Sequence, residues 1–157
     1  PGVLFLDVSD PLRPHYRDSL HVHSFCDSFA FFDGGVMLSD RSFGASMIYR
    51  DERGDWKPEE ARMARLPRHG GGDALAHGVA VAGGRAVVAE GGAGLRLCLW
   101  DDATKTWMEY GRIATNGSAV SAIFLEDGRI AAALHGTGVA LSPWPEDSPS
   151  APDASSD

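Results

Sequence analysis

Hydrophobic residues in this chain come in short runs of strand length, divided by glycine, aspartate and proline, and the runs repeat in a fixed order. The segments GVLFLDVSDP from Gly2, ASMIYRDERGDW from Ala45, GLRLCLWDDATKTW from Gly94 and GVALSPWPED from Gly138 each open on a strand-like run. Their starts, at positions 2, 45, 94 and 138, lie 43, 49 and 44 residues apart. That period fits one four-stranded β-propeller blade and is too long for most helical or leucine-rich repeats. Ahead of the last three runs lie Phe29 to Asp40, Val79 to Glu90 and Ala122 to Gly136. Each has two β-rich halves around a turn, at Asp33-Gly34, Gly83-Gly84 and Asp127-Gly128.

These segments predict a blade order. Strands A and B form the hairpin, and strand C is the repeated run. Strand D is a weaker, more polar segment, near Tyr16 to Ser24, Glu59 to Leu66 and Met108 to Ala114. A polar outer strand is expected where one edge faces solvent. Lys57 to Pro67 opens on Pro-Glu-Glu, so a helical turn competes with strand D there. The expected fold class is all-β: a partial β-propeller of about three four-stranded antiparallel blades in an open arc over residues 1–144. Residues 145–157, acidic and rich in Ser and Pro, are expected to form a disordered tail. Strand C stands at both ends, which is not the pairing that closes a ring. A longer protein, or completion by another polypeptide or a second copy, is expected.

GVLFLDVSDPLRP resembles the end of an LVIVD-type propeller repeat, and His77 to Leu97 is similar to the next part of that repeat. Leu125 to Leu141 resembles the sensor-type propeller repeats of two-component regulators. The middle run lacks the Asp-Val-Ser-x-Pro ending, and SPWPED replaces it in the last. The resemblance implies a repeat scaffold, often secreted or on the bacterial cell surface, with no shared catalytic set.

Charge works by exclusion. The net charge of −8, with 22 acidic against 14 basic residues, and the absence of a basic stripe disfavour nucleic acid. Arg62, Arg65, Arg68 and His69 read as a solvated outer-strand face. No apolar run approaches the roughly 18 residues of a membrane span. Cys26 and Cys98 make no disulfide framework, and Cys98 reads as a packed residue on the face opposite Leu95, Leu97 and Leu99. The runs Gly70 to Gly72 and Gly91 to Gly94 lack a phosphate-loop ending and read as turns. Trp100 and Trp144 occupy equivalent repeat positions and read as packing residues.

In a propeller the D-to-A and B-to-C connections emerge on one face, and here they are expected at Cys26-Asp27, Arg68 to His77, Asn116 to Ser118, Ser42 to Gly44, Gly91 to Gly94 and His135 to Gly138. Asp27, Asp73, His77, Glu90 and His135 are thereby candidates for a shared ligand or divalent-metal site, since carboxylates and imidazoles from separate loops suit coordination and acid–base work. Plain solvated loops are the competing reading, and no cofactor is required. His21 and His23, alternate in a strand, share a face. The leading functional expectation is a non-catalytic scaffold binding a protein or small ligand at the loop face. The alternatives are a propeller hydrolase or lactonase-like enzyme with a channel metal, and an extracellular sensor propeller of a regulator.

Overall fold

A computed structural model describes residues 2–21, 25–51, 53, 64–66 and 74–146. The described residues form thirteen strands in four antiparallel sheets, none of which closes on itself. Sheet 1 pairs β1 (Gly2–Asp7) with β2 (His15–His21). Sheet 2 runs β3 (Cys26–Phe32), β4 (Gly35–Asp40), β5 (Gly44–Tyr49), β6 (Ala64–Leu66). Sheet 3 runs β7 (Gly78–Ala82), β8 (Arg85–Ala89), β9 (Leu95–Asp101), β10 (Thr106–Ile113). Sheet 4 holds β11 (Ser118–Phe124), β12 (Ile130–His135) and β13 (Gly138–Ser142). In every sheet, strands adjacent in sequence are adjacent in space, and short turns make the β3–β4, β4–β5, β7–β8, β8–β9, β9–β10, β11–β12 and β12–β13 connections.

Turn chemistry sets the hairpins. Gly34, Gly84 and Gly128 have positive φ at the three predicted turns. Counting from these glycines aligns the three hairpins without a gap: Gly44, Gly94 and Gly138 each follow ten residues later, all with positive φ. At Gly94 a Cβ would run into the carbonyl oxygen of Ile113, so the β8–β9 turn needs glycine for space as well as for φ.

The sheets stack in chain order, and the period-two alternation of β4 and β8 shows how. Val36, Leu38 and Ile48 face sheet 1 and meet Val3 and Phe5. Met37, Ala45 and Met47 face sheet 3 and meet Val79, Ala86, Val88 and Cys98. Val87, Leu95 and Leu97 face sheet 4 and meet Ala119, Ala122, Ile130 and Leu134. Strands buried on both faces read as continuous apolar runs, which is why VMLS and AVVA carry so little polarity. The first strands of sheets 2, 3 and 4 touch in succession, β3 on β7 and β7 on β11. Isolated bridges join Arg41 to Ala76 and Gly91 to Ala119. Between sheets 2 and 3, Phe32, Tyr49, Trp100 and Trp107 form an aromatic cluster with centroids 5.4–6.3 Å apart.

Several boundaries differ from the sequence expectation. Cys26 and Asp27 lie within β3, not in a connection, because a bulge between Cys26 and Phe29 carries the pairing further. Ser118 likewise starts β11, whose bulge lies between Ala119 and Ser121. Of the segment weighed between helical turn and outer strand, Ala64–Leu66 is strand, paired with Ala45 to Met47. Its other residues, and the tail from residue 147, lie outside the described residues.

At Gly78 a Cβ would stand 2.8 Å from the Cα of Ser121, so the close contact of β7 with β11 requires glycine. Gly78→Val is expected to lower unfolding free energy by about 1–3 kcal/mol, the usual scale for overpacking. Urea denaturation measures it, and an unchanged midpoint would show that the two strands separate freely.

Candidate functional site

Among the described residues the sequence candidates part: Asp27 and His77 meet in one cluster, Glu90 stands in another, and His135 is in neither. Asp27 enters β3 with its amide near Ser39 Oγ, which also receives the Ser28 amide. Its carboxylate takes a two-point contact from Arg41, Nε to Oδ2 at 2.7 Å and Nη2 to Oδ1 at 3.1 Å. His77 Nδ1 lies 3.4 Å from the same Oδ2. The Arg41 guanidinium also stands 5.6 Å over the Phe25 ring. Arg41 foremost, and His77 after it, hold the Asp27 carboxyl below its ordinary pKa. This cluster joins the ends of β3 and β4 to the residue that precedes β7, so it clasps sheet 2 to sheet 3. Chemically, Asp27 fixes the orientation of the His77 ring, the arrangement that an acid–base histidine uses. The two-point Arg41 contact occupies both carboxylate oxygens.

Glu90 is not in that cluster. It is fully buried just after β8, with Arg96 Nη2 at 2.5 Å from Oε1 and Arg112 Nη1 at 3.2 Å from Oε2. Glu109 in β10 adds contacts to Arg96, at 3.7 Å, and to Arg112, at 2.9 Å. Two carboxylates and two guanidiniums thus form an alternating network at the sheet 2–sheet 3 interface, and Glu90 is neutralised by arginine. A buried carboxylate so paired is a structural element, costly to break.

Aligned without a gap on the turn glycines, the other two hairpins give Glu90 two counterparts. Its equivalents are Asp40 and Leu134, and those of Arg96 are Ser46 and Ala140. Asp40 is buried, and its Oδ2 accepts a hydrogen bond from the Ser46 hydroxyl at 2.9 Å. The pairs are therefore Asp with Ser, Glu with Arg, and Leu with Ala. Where the first member is polar the second supplies a donor, and where it is apolar the second is small. Register also sets Arg65 opposite Ser46 as Arg112 stands opposite Arg96. Arg62, Arg68 and His69 lie outside the described residues.

His135 ends β12, is exposed, and is equivalent to Arg41 and Gly91, not to Glu90. Asp73 and His23 lie outside the described residues, and His21 is exposed in β2. Among the described residues no three His, Cys, Asp or Glu side chains gather where they can hold a metal. Burial pushes the Cys98 thiol up to about 12, which keeps it protonated, and raises that of Cys26 as well. No described helix is long and apolar enough to cross a membrane.

Sequence reasoning missed Arg41, Asp40 and the Arg96–Arg112 pair. The recurrent acid after strand B was a usable signal for Asp40 and Glu90. An arginine inside the apolar run LRLCL was another.

An apolar concavity lies elsewhere. A groove of about 1000 Å³ runs between sheet 1 and sheet 2, lined by Leu4, Leu6, Phe29, Phe31, Val36 and Leu38, with Asp7 and Arg17 also at its wall. Phe29 and Phe31 meet edge to face at 5.7 Å yet remain 60% and 61% exposed. Arg17 Nη2 lies 3.0 Å from Asp7 Oδ2. The Ser9 amide foremost, with the Ser9 hydroxyl and Arg17, brings the Asp7 carboxyl down to about 2.

No protein-family model matches the chain, and no curated protein matches it. Among solved structures it is similar to the computationally designed Ika4 protein, at 9% identity over 78% of this chain and 93% of that one, with a TM-score of 0.41.

Two outcomes are expected. The folded protein holds Asp27 ionised more firmly than the unfolded chain does. Its contribution to stability is therefore complete above the ordinary carboxylate range and is lost as pH falls through and below it. In Asp27→Asn that part of the acid loss of stability should vanish in denaturation curves recorded from pH 7 to pH 3. Glu90→Ala should cost about 3–5 kcal/mol by leaving Arg96 buried and uncompensated, whereas Glu90→Leu with Arg96→Met should recover most of it. Equal losses in the single and double variants, by the same denaturation assay, would show that packing volume and not charge matters there.

Proposed function

We propose that this chain is a non-catalytic binding scaffold whose four sheets are blades of an open β-propeller arc, and that it takes an apolar protein segment or small apolar ligand in the groove between sheets 1 and 2. The blade reading is supported by the repeated strand order, the successive contacts of β3, β7 and β11, and the bridges between neighbouring sheets. The LVIVD-like ending of the first run belongs with the same reading.

The observation that carries the binding role is the groove. Large apolar side chains are ordinarily withdrawn from water, and a contiguous exposed group of them in a concavity marks a place where something binds. Leu4, Leu6, Phe29 and Phe31 are each more than half exposed around one groove. The polar candidates point the other way: Glu90 is spent on arginine, and Asp27 on Arg41. One observation favours a second reading, acid–base chemistry at His77, namely its approach to Asp27.

Phe29→Ser with Phe31→Ser is expected to weaken binding of an environment-sensitive apolar dye by at least about tenfold. Unfolding free energy should change by less than about 0.5 kcal/mol, because both rings are largely exposed. Undiminished dye binding would overturn the groove as the site. Loss of a hydrolytic activity in His77→Ala, with dye binding intact, would support the second reading instead.

A further inference from the structure

The groove between sheets 1 and 2 has the position of two strands. β1 holds in sheet 1 the place that β5 and β9 hold in theirs: Val3 and Phe5 meet Val36, Leu38 and Ile48, as Ala45 and Met47 meet Ala86, Val88 and Cys98. Its outer partner is β2, as β6 and β10 are the outer partners of β5 and β9. On the other side β5 has the β3–β4 hairpin and β9 the β7–β8 hairpin, whereas among the described residues no strand pairs with β1 there. The groove lies on that side, with β1 as one wall and Phe29, Phe31, Val36 and Leu38 as its floor.

The floor shows what covers it elsewhere in the molecule. Phe29 pairs with Leu38 as Val79 pairs with Val88 and Ala122 with Ala132, so the three are equivalent. Val79 clusters with Met37 of the β3–β4 hairpin, and Ala122 with Val87 of the β7–β8 hairpin. They are 6% and 4% exposed, against 60% for Phe29. Neither this chain nor a second copy has a hairpin to spare. β4, β8 and β12 are each paired with the strand that follows them. Outside the described residues the longest segments, 54–63 and 147–157, lack the two alternating apolar runs of a blade hairpin.

We propose that the groove is a hairpin-acceptor site, filled by an apolar β-hairpin of a different polypeptide that adds two antiparallel strands to β1. The proposal rests on the reading of the groove as the binding site and names its occupant. Backbone hydrogen bonds along β1 supply affinity, and the branched side chains of the hairpin withdraw Phe29 and Phe31 from water. Carried over from β8 on β9, the register sets Ala89 of such a hairpin opposite Val3, Val87 opposite Phe5, and Arg85 opposite the Asp7 carboxylate.

The test adds a capped peptide of residues 78–89, the β7–β8 hairpin, to the full chain. A scrambled peptide and a Val88→Pro peptide are the controls, since proline keeps the apolar character but removes a ladder hydrogen bond. The hairpin peptide should displace the apolar dye, and amide exchange in Gly2–Asp7 should slow by about tenfold or more, with neither control doing so. Absence of displacement or of protection at saturating peptide, or an equal effect from the Val88→Pro peptide, would overturn the hairpin and leave the groove reading standing. Failure of the dye itself to bind would remove both. A doubled native mass with Gly2–Asp7 already protected would also overturn the proposal, by making a second copy the occupant.

Discussion

A sheet of two to four short strands cannot stand alone in water, because its backbone ladder brings too little apolar burial to offset the order it imposes. The stacking of the sheets follows from that constraint. Each sheet must find a cover for its faces, and here the cover is the next sheet. Val36, Leu38 and Ile48 on one face of sheet 2, and Met37, Ala45 and Met47 on the other, put the cost of solitude in concrete terms. Sheets 2 and 3 are covered on both sides and hold the wholly buried strands. Sheets 1 and 4 are covered on one side and hold the exposed leucines and valines.

Stacking also decides what polar groups can do. A carboxylate at the end of strand B faces the preceding sheet, so it must bring its own partner into a dry interface. Glu90 meets Arg96 and Arg112 there, and Asp40 meets Ser46. Leu134, at the same position, meets no such requirement. Asp27 lies on the exposed parity of β3, near the strand's start, where Arg41 and His77 reach it.

Alignment on the turn glycines also shows what decides the burial of a face. Burial of Ala45 and Leu95 against Val139, the same position in sheet 4, differs because a following sheet is present in two cases and absent among the described residues in the third.

The sequence by itself determined the strands. Period-two alternation and the glycine turns are local properties, and they located all three hairpins, the four C strands and the face on which Cys98 packs. Boundaries at Cys26 and Ser118 escaped because a bulge depends on the partner strand, not on the residues of one strand. The candidate site was legible only in part. Asp27 and His77 were named together, but Arg41, which holds them, lies in no motif. Glu90 was assigned to an open loop face although it is buried, and His135 was grouped with it although the two positions are not equivalent. Whether a loop carboxylate meets solvent, a histidine or an arginine depends on which sheet packs against it, and that is a property of the stacked fold alone.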